Sequence, residues 1–167
     1  MGGKYGFLNR NGQKVIDFIY DDAGDFHEPF SKVKIKDKWG IISPYNEILV
    51  SPIYDDIYFR WDNYFHLKKN GKVGVMDIDF QITIPVQFND VGTFSSEGLA
   101  TFSDEYGYGY MNKSGEIVIP AIFQYAEEFI NGVALVLDND EYTLINAQGD
   151  KLLSKSYAYL ELQEYSD

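Results

Sequence analysis

A glycine recurs along this chain at a nearly constant interval, and the interval limits which folds are possible. The spacings are 34, 34 and 35 residues, between Gly6, Gly40, Gly74 and Gly109. Self-similarity with a period of this length indicates a repeat architecture, in which each unit covers the apolar face of its neighbour. We therefore predict one domain over residues 1–167, built from tandem units at approximately 4–37, 38–71, 72–107, 108–140 and 141–167. The last unit is degenerate, because Thr143 stands in the place of its glycine.

An aromatic residue follows each of the four glycines after 14 residues. These residues are Tyr20, Tyr54, Phe88 and Phe123. Their strict recurrence predicts rings that are buried at equivalent places in the core. A glycine at a strand start is typical of a site that another backbone or a ring approaches closely, and a ring of a neighbouring unit is the first candidate.

The local patterns predict strands throughout. Two hydrophobic runs flank the turn "RNG" at 10–12, and "NKSGE" at 112–116 repeats the arrangement. Asn-Gly between alternating hydrophobic residues is a strong hairpin signal, because both residues tolerate positive φ. We expect about three antiparallel strands per unit in an all-β fold. Propeller blades usually need four strands and about 40 residues, so a 34-residue unit favours an open superhelical stack over a closed propeller.

The pattern resembles the WG repeat family, also called KWG repeats. The segments that carry the resemblance best are "KWGIISPYNEILVSPIYDD" at 38–56 and "YGYMNKSGEIVIPAIFQYAEEFINGVALV" at 108–136. Only Trp39 keeps the tryptophan of the motif, and Phe18 replaces the proline in the first unit. The resemblance implies a bacterial-type β-repeat module with an interaction-related function, and it carries no catalytic residues over to this chain.

The charge of the chain is unevenly divided. Residues 1–71 hold ten basic and ten acidic residues, whereas residues 72–167 hold four and sixteen, which accounts for the whole net charge of −12. Such a field repels nucleic acid and anionic membranes, and it attracts a basic protein surface. Solubility of an aromatic-rich β-protein accounts for the acidity equally well. The candidate partner-binding residues on this side are Asp104, Glu105, Glu127, Glu128, Asp138 and Asp140.

The segment "YFRWDNYF" at 58–65 departs from the repeat. Arg60 occupies the place that Phe26, Phe94 and Phe129 hold in the other units. An exposed Arg60 and Trp61 pair would suit a protein interface, and exposed rings there would suit a carbohydrate or cell-wall ligand. The alternative is a variant strand whose rings fill the core.

Paired acidic or amide residues follow the repeated aromatics, as Asp21–Asp22, Asp55–Asp56, Asn89–Asp90 and, further on, Glu127–Glu128. Turn chemistry accounts for them best, and calcium binding is the alternative.

Catalytic and targeting signals are missing from the sequence. No hydrolase, zinc-protease or phosphate-loop motif occurs, and His27 and His66 fall at different places in their units. We therefore expect a non-enzymatic protein without cofactor or metal; a small-molecule enzyme would need convergent polar groups in a pocket. The sequence has no cysteine and no run as apolar as a membrane span, and we expect no secretion leader. On these features we expect a cytoplasmic protein.

Overall fold

The structure, a computed structural model, describes residues 3–26 and 29–154. These residues contain β-strands and no helix. The strands form five antiparallel sheets that follow one another along the chain. The first sheet holds β1 (Tyr5–Leu8) and β2 (Lys14–Tyr20); the second, β3 (Asp22–Ala23), β4 (Ser31–Ile35), β5 (Lys38–Ile42) and β6 (Ile48–Tyr54); the third, β7 (Asp56–Phe59), β8 (Phe65–Lys69), β9 (Lys72–Met76) and β10 (Ile82–Phe88); the fourth, β11 (Asp90–Val91), β12 (Leu99–Ser103), β13 (Tyr108–Asn112) and β14 (Ile117–Phe123); the fifth, β15 (Tyr125–Ala126), β16 (Val133–Asp138) and β17 (Glu141–Asn146).

Each complete sheet is a meander of four strands in chain order. Its first two strands come from the end of one repeat, and its last two come from the start of the next. The prediction of an all-β tandem-repeat fold is confirmed. A repeat contributes four strands rather than about three, because a strand of two to four residues follows each repeated aromatic and pairs with the next long strand.

The repeated glycine lies under a bulge of the neighbouring strand. Trp39 pairs with Tyr54 and Ile41 pairs with Val50, so Gly40 alone faces three residues of β6. Residues 5, 73 and 108 begin the same register shift in the other repeats. The extra residues of a bulge bend the strand out of the ladder, and here they bring its backbone across the glycine. The close neighbour is therefore backbone of the same repeat, not a ring of an adjacent one.

The four repeated aromatics are all buried, as predicted. Tyr20, Tyr54, Phe88 and Phe123 are between 3% and 7% exposed. Each belongs to a different apolar cluster, and each cluster joins two successive sheets. Within the described residues no cluster joins the first sheet to the fifth, so the sheets pack as an open array.

A side-chain cap closes the turn that follows the glycine-bearing strand of every repeat. Asn112 Oδ1 accepts hydrogen bonds from the backbone N–H groups of Ser114 and Glu116, both at 3.0 Å, and Gly115 has a φ of +79°. The capping residue always stands three residues after the repeated glycine or its substitute, as Asn9, Ser43, Asp77, Asn112 and Asn146. This Asx or Ser turn sets the register of each hairpin. It persists in the degenerate fifth unit.

His66 is a buried polar residue in the core between the third and fourth sheets. Its side chain is 0% exposed and stacks on Tyr58 at 5.7 Å between ring centroids. Neither ring nitrogen has a hydrogen-bond partner among the described residues. Burial, and secondarily the charge of Arg60, lowers the pKa of His66 to about 4. His66 is therefore a neutral core residue near pH 7. The other histidine, His27, lies outside the described residues.

Gly74→Ala is expected to destabilise the fold by about 1–3 kcal/mol, the usual cost of overpacking. The added Cβ would stand 2.6 Å from the carbonyl oxygen of Ile84 and 2.7 Å from the nitrogen of Val86. Backbone atoms in a paired strand cannot move aside as a side-chain end can. Urea unfolding measures the change, with Gly24→Ala as the matched control. There the first neighbour is the flexible Lys32 side chain at 3.1 Å, and we expect a change of about 0.5 kcal/mol or less. Equal losses for both variants would contradict the role assigned to Gly74.

Stability is expected to fall on acidification through His66. The folded state holds the pKa of His66 near 4, below the value of about 6.5 for an unfolded chain. Between these values the unfolded chain binds more protons, so this contribution is complete above about pH 6.5 and is lost as the pH falls towards 4. Between pH 6.5 and pH 4 the free energy of unfolding of the wild type should fall by up to about 3 kcal/mol more than that of a His66→Leu variant. Urea titrations of both proteins at pH 7 and pH 4.5 test this, and parallel pH profiles would show that His66 is not involved.

Candidate functional site

The segment that breaks the repeat forms a hairpin with an exposed tip. The strands β7 and β8 pair from Asp56 to Phe59, and the turn at 60–64 closes through a hydrogen bond from Arg60 N–H to Tyr64 O at 2.9 Å. Trp61 at the tip is 72% exposed, and Phe59 beside it is 48% exposed. The two rings are therefore available to a ligand or partner.

Asp62 holds this tip against the next sheet. One carboxylate oxygen accepts from the N–H of Tyr64 at 3.2 Å, and the other accepts from the N–H of Phe94 at 2.9 Å. The first bond fixes the turn, and the second joins it to the fourth sheet. Trp61 is thus presented on a turn that two hydrogen bonds restrain.

Arg60 does not fill the core place of the repeated phenylalanine. Its guanidinium carbon lies 5.3 Å from the centroid of the Tyr58 ring, which is the geometry of a cation–π contact. The Nε atom is buried and has no hydrogen-bond partner among the described residues. A buried donor without an acceptor is costly, so this atom is a place where an added acceptor would be favourable.

Arg60 and two of the predicted acidic residues line one polar cavity. The cavity has a volume of about 390 Å³, and Arg60, Glu127 and Glu128 are among its lining residues. Glu128 accepts a hydrogen bond from Thr93 Oγ1 at 3.2 Å, and Glu127 accepts one from Tyr125 Oη at 3.3 Å. Burial and then the nearby Glu127 charge raise the pKa of Tyr125. The cavity thus offers a cation and two anions that sequence reasoning had placed in separate groups.

The other predicted acidic residues lie in the turns β12–β13 and β16–β17, which are equivalent in the repeat. Asp104 caps the first turn by accepting from Tyr106 N–H at 2.8 Å, whereas the neighbouring Glu105 is exposed. In the second turn Asp138 pairs with Lys151 at 2.7 Å, and Asp140 bonds to Gln124. Glu127 and Glu128 follow β15 and lie away from these turns. The six residues therefore form two groups, not one continuous set of turns.

The acidic pairs after the repeated aromatics serve the turns of the adjacent hairpin. Asp21 binds Lys4 at 2.5 Å and the N–H of Lys36 at 2.9 Å, while Asp55 binds Lys38 and the N–H of Asn70. These hydrogen bonds lower the pKa of both carboxyl groups. The equivalent residues in the next two units are Asn89, which accepts from Lys72, and Gln124. Turn chemistry is what the described contacts show, and Glu127–Glu128 is not the fourth member of this series.

The part of the chain that the structure describes has neither a metal-binding cluster nor a membrane-spanning helix. No group of three or more histidine, aspartate or glutamate side chains there is arranged to hold a metal ion. No helix among the same residues is long and apolar enough to cross a membrane.

Sequence reasoning missed the cavity that Arg60 shares with Glu127 and Glu128, because the residues are far apart in the chain and belong to different sheets. It also missed the capping series, although a signal existed: Asn, Ser or Asp recurs three residues after each repeated glycine.

Comparison with solved structures finds proteins of low similarity. Hsv2p of Kluyveromyces lactis is 14% identical with a TM-score of 0.44, and the match covers 78% of this chain and 49% of that one. The seed albumin LS24 from Lathyrus sativus is 11% identical with a TM-score of 0.26, covering 72% of this chain and 82% of that one. The chain thus spans about half the length of Hsv2p. No curated protein matches.

The family comparison covers most of the chain. The family model described as WG containing repeat matches four times, at residues 5–39, 39–72, 74–105 and 108–142. These matches contain all four repeated glycines, which the structure places under equivalent bulges. The chain belongs to the WG repeat family.

Proposed function

We propose that this chain is a non-enzymatic β-repeat module that binds a protein partner with a basic surface, and that it does so in the cytoplasm. The observation that carries the proposal is a change of charge between equivalent turns. The turns in question join the two middle strands of a sheet. In the second and third sheets they are the β4–β5 and β8–β9 turns, which hold or adjoin lysines such as Lys36 and Lys69. In the fourth and fifth sheets the same turns hold Asp104–Glu105 and Asp138–Asp140.

The acidic side chains differ in how free they are to bind a partner. Asp138 and Asp140 are engaged by Lys151 and Gln124. The Glu105 carboxylate makes no hydrogen bond or ion pair with another described residue, and the Glu127 carboxylate accepts only the 3.3 Å bond from the Tyr125 hydroxyl. A free carboxylate can exchange water for a partner's ammonium or guanidinium without breaking an existing pair. Glu105 and Glu127 are therefore the strongest candidates to contact a basic surface.

The double variant Glu105→Lys/Glu127→Lys is expected to slow association with such a partner by about tenfold at low salt. Electrostatic steering raises association rates by 10- to 1,000-fold and weakens as salt screens it. The partner is captured from the source cell, and its association rate is then measured at 0.1 M and 1 M salt. The Debye length falls from about 10 Å to about 3 Å between these conditions, so wild type and variant should converge at high salt.

A matched control makes the same change in net charge elsewhere. Glu47→Lys/Asp79→Lys alters the β5–β6 and β9–β10 turns. These turns follow β5 and β9, whereas the turns equivalent to the acidic ones precede these two strands, so the two kinds of turn lie at opposite strand ends. This control should associate nearly as fast as wild type. If both double variants slow association equally, or neither does, the acidity serves solubility and the proposal fails.

A second candidate function is the binding of a carbohydrate or cell-wall ligand. It is favoured by one observation, the exposure of Trp61 and Phe59 at 72% and 48% on a restrained turn. Trp61→Ala should then reduce retention on immobilised peptidoglycan or polysaccharide by about tenfold or more, since stacking on an exposed ring would supply much of the affinity. Affinity electrophoresis measures the change, with Tyr45→Ala as the control because Tyr45 is also exposed. Retention that is absent, or equal in the two variants, would eliminate this candidate.

A further inference from the structure

The polar cavity of about 390 Å³ lies beside the first strands of three successive sheets. Arg60 follows β7 of the third sheet, and Gly92 and Thr93 follow β11 of the fourth. Residues 125–128 lie in and directly after β15 of the fifth sheet. Because β7, β11 and β15 are equivalent in the repeat, the cavity lies along one edge of the array.

Gly92 leaves the residue opposite it uncovered. Its N–H donates to Thr101 O at 2.8 Å, and a Cβ on Gly92 would stand 2.4 Å from Thr101 Oγ1. In the third sheet the position equivalent to Gly92 is Tyr58, whose ring stacks on His66 and covers it. Gly92 and Thr101 both line the cavity. The glycine therefore leaves open a place that a ring closes in the preceding sheet.

Hydroxyl groups hold the two carboxylates of this cavity. Glu128 accepts a hydrogen bond from Thr93 Oγ1 at 3.2 Å, and Glu127 accepts one from Tyr125 Oη at 3.3 Å. Thr93 is only 7% exposed, so its hydroxyl is well fixed. A carboxylate offers about four acceptor positions. Both glutamates therefore have positions left for the N–H groups of a ligand.

Arg60 brings an unpaired cation to the same cavity. Its guanidinium lies on the Tyr58 ring, and the buried Nε has no hydrogen-bond partner among the described residues. No ion pair joins Arg60 to Glu127 or Glu128 within the part of the chain that the structure describes, although all three line the cavity. Opposite charges thus face one space without neutralising each other directly.

This arrangement disfavours ligands that carry a single charge. Two carboxylates repel an anion that approaches Arg60, and Arg60 repels a cation that approaches the glutamates. A ligand with an ammonium and a carboxylate on one carbon complements both, and hydrogen bonds between charged groups are about twice as strong as neutral ones. Ala126 and Ile130 add an apolar wall to the cavity.

We infer that this cavity is a binding site for a free α-amino acid with a small aliphatic side chain. Arg60 binds the carboxylate of the ligand, and Glu127 and Glu128 bind its ammonium group. The aliphatic side chain packs on Ala126 and Ile130. The inference goes beyond the proposed function, because the ligand is a small zwitterion and not a basic protein.

The test titrates three small molecules into the ¹⁵N-labelled chain at pH 7: L-valine, isovalerate and isobutylamine. Isovalerate is valine without its ammonium group, and isobutylamine is valine without its carboxylate. L-valine should bind at least about tenfold more tightly than either, because only valine forms both sets of charged hydrogen bonds. The largest amide shifts are expected at Gly92, Thr93 and Ala126.

Two variants should each remove one of the two preferences. Arg60→Gln should bind valine no more tightly than isobutylamine, while its affinity for isobutylamine is not reduced. Glu127→Gln/Glu128→Gln should bind valine no more tightly than isovalerate, while its affinity for isovalerate is not reduced. Retained binding of the single-charge ligand shows that each variant is folded. Arg10→Gln is the matched control, because Arg10 is exposed in a turn of the first sheet, and it should keep both preferences.

Binding of isobutylamine to the wild type as tight as that of valine would overturn the inference, because the glutamates would then attract any cation. Equal binding of isovalerate, amide shifts outside the cavity, or the loss of both preferences in each variant would overturn it as well. The titrations need no protein partner and do not involve Glu105. Failure here is therefore distinct from failure of the charge-reversed variants.

Discussion

The close approach of a backbone to the repeated glycine is the interaction on which the rest of the structure depends. In each repeat the outer strand places three residues opposite one glycine, and it returns to the ladder at the aromatic 14 residues downstream, as Tyr54 does opposite Trp39. The bulge thus sets which way the aromatic points, because strand side chains alternate between the two faces. It also distorts the outer edge of each sheet, where Pro52, Pro85 and Pro120 remove backbone donors. Bulges and prolines both protect an edge from pairing with another chain.

The same hairpins couple the repeats to one another. Because a sheet takes strands from two successive repeats, and because each apolar cluster joins two successive sheets, no repeat can bury its aromatic alone. The fifth unit lacks the repeated glycine. Thr143 replaces the glycine on β17 and is 1% exposed, and the described residues after it supply only an isolated bridge from Lys151 to Ile145. Among the described residues no bulged strand crosses Thr143, and a side chain is accommodated there.

Periodicity made the core predictable from the sequence, because a position that recurs in every unit has the same surroundings in every unit. Tyr20, Tyr54, Phe88 and Phe123 were placed correctly for this reason. The short strands after them were missed, since two residues leave no periodic signal. The cavity shared by Arg60 and Glu127 was also beyond prediction, because it depends on how three successive sheets curve. Phe80 shows a further limit: it adopts a φ of +60° where three other units use glycine, and its ring packs at 5.6 Å from Phe65. Tertiary packing there offsets a local backbone cost.

A repeat fold assigns most polar residues to its own construction, and this affects how its charge is interpreted. Asp21, Asp55 and Asp104 accept hydrogen bonds from backbone N–H groups of turns. These three carboxylates therefore serve the fold, whether or not a partner is bound. The count of acidic residues therefore overstates the surface that is free to bind. What remains free lies where the repeat rule is broken: Trp61 on the hairpin whose first strand is longer than in the other repeats, Arg60 turned out of the phenylalanine place, and Glu105 in a turn that Asp104 already caps. Because the regular positions are occupied by the requirements of the fold, a function specific to this chain has to use the irregular ones.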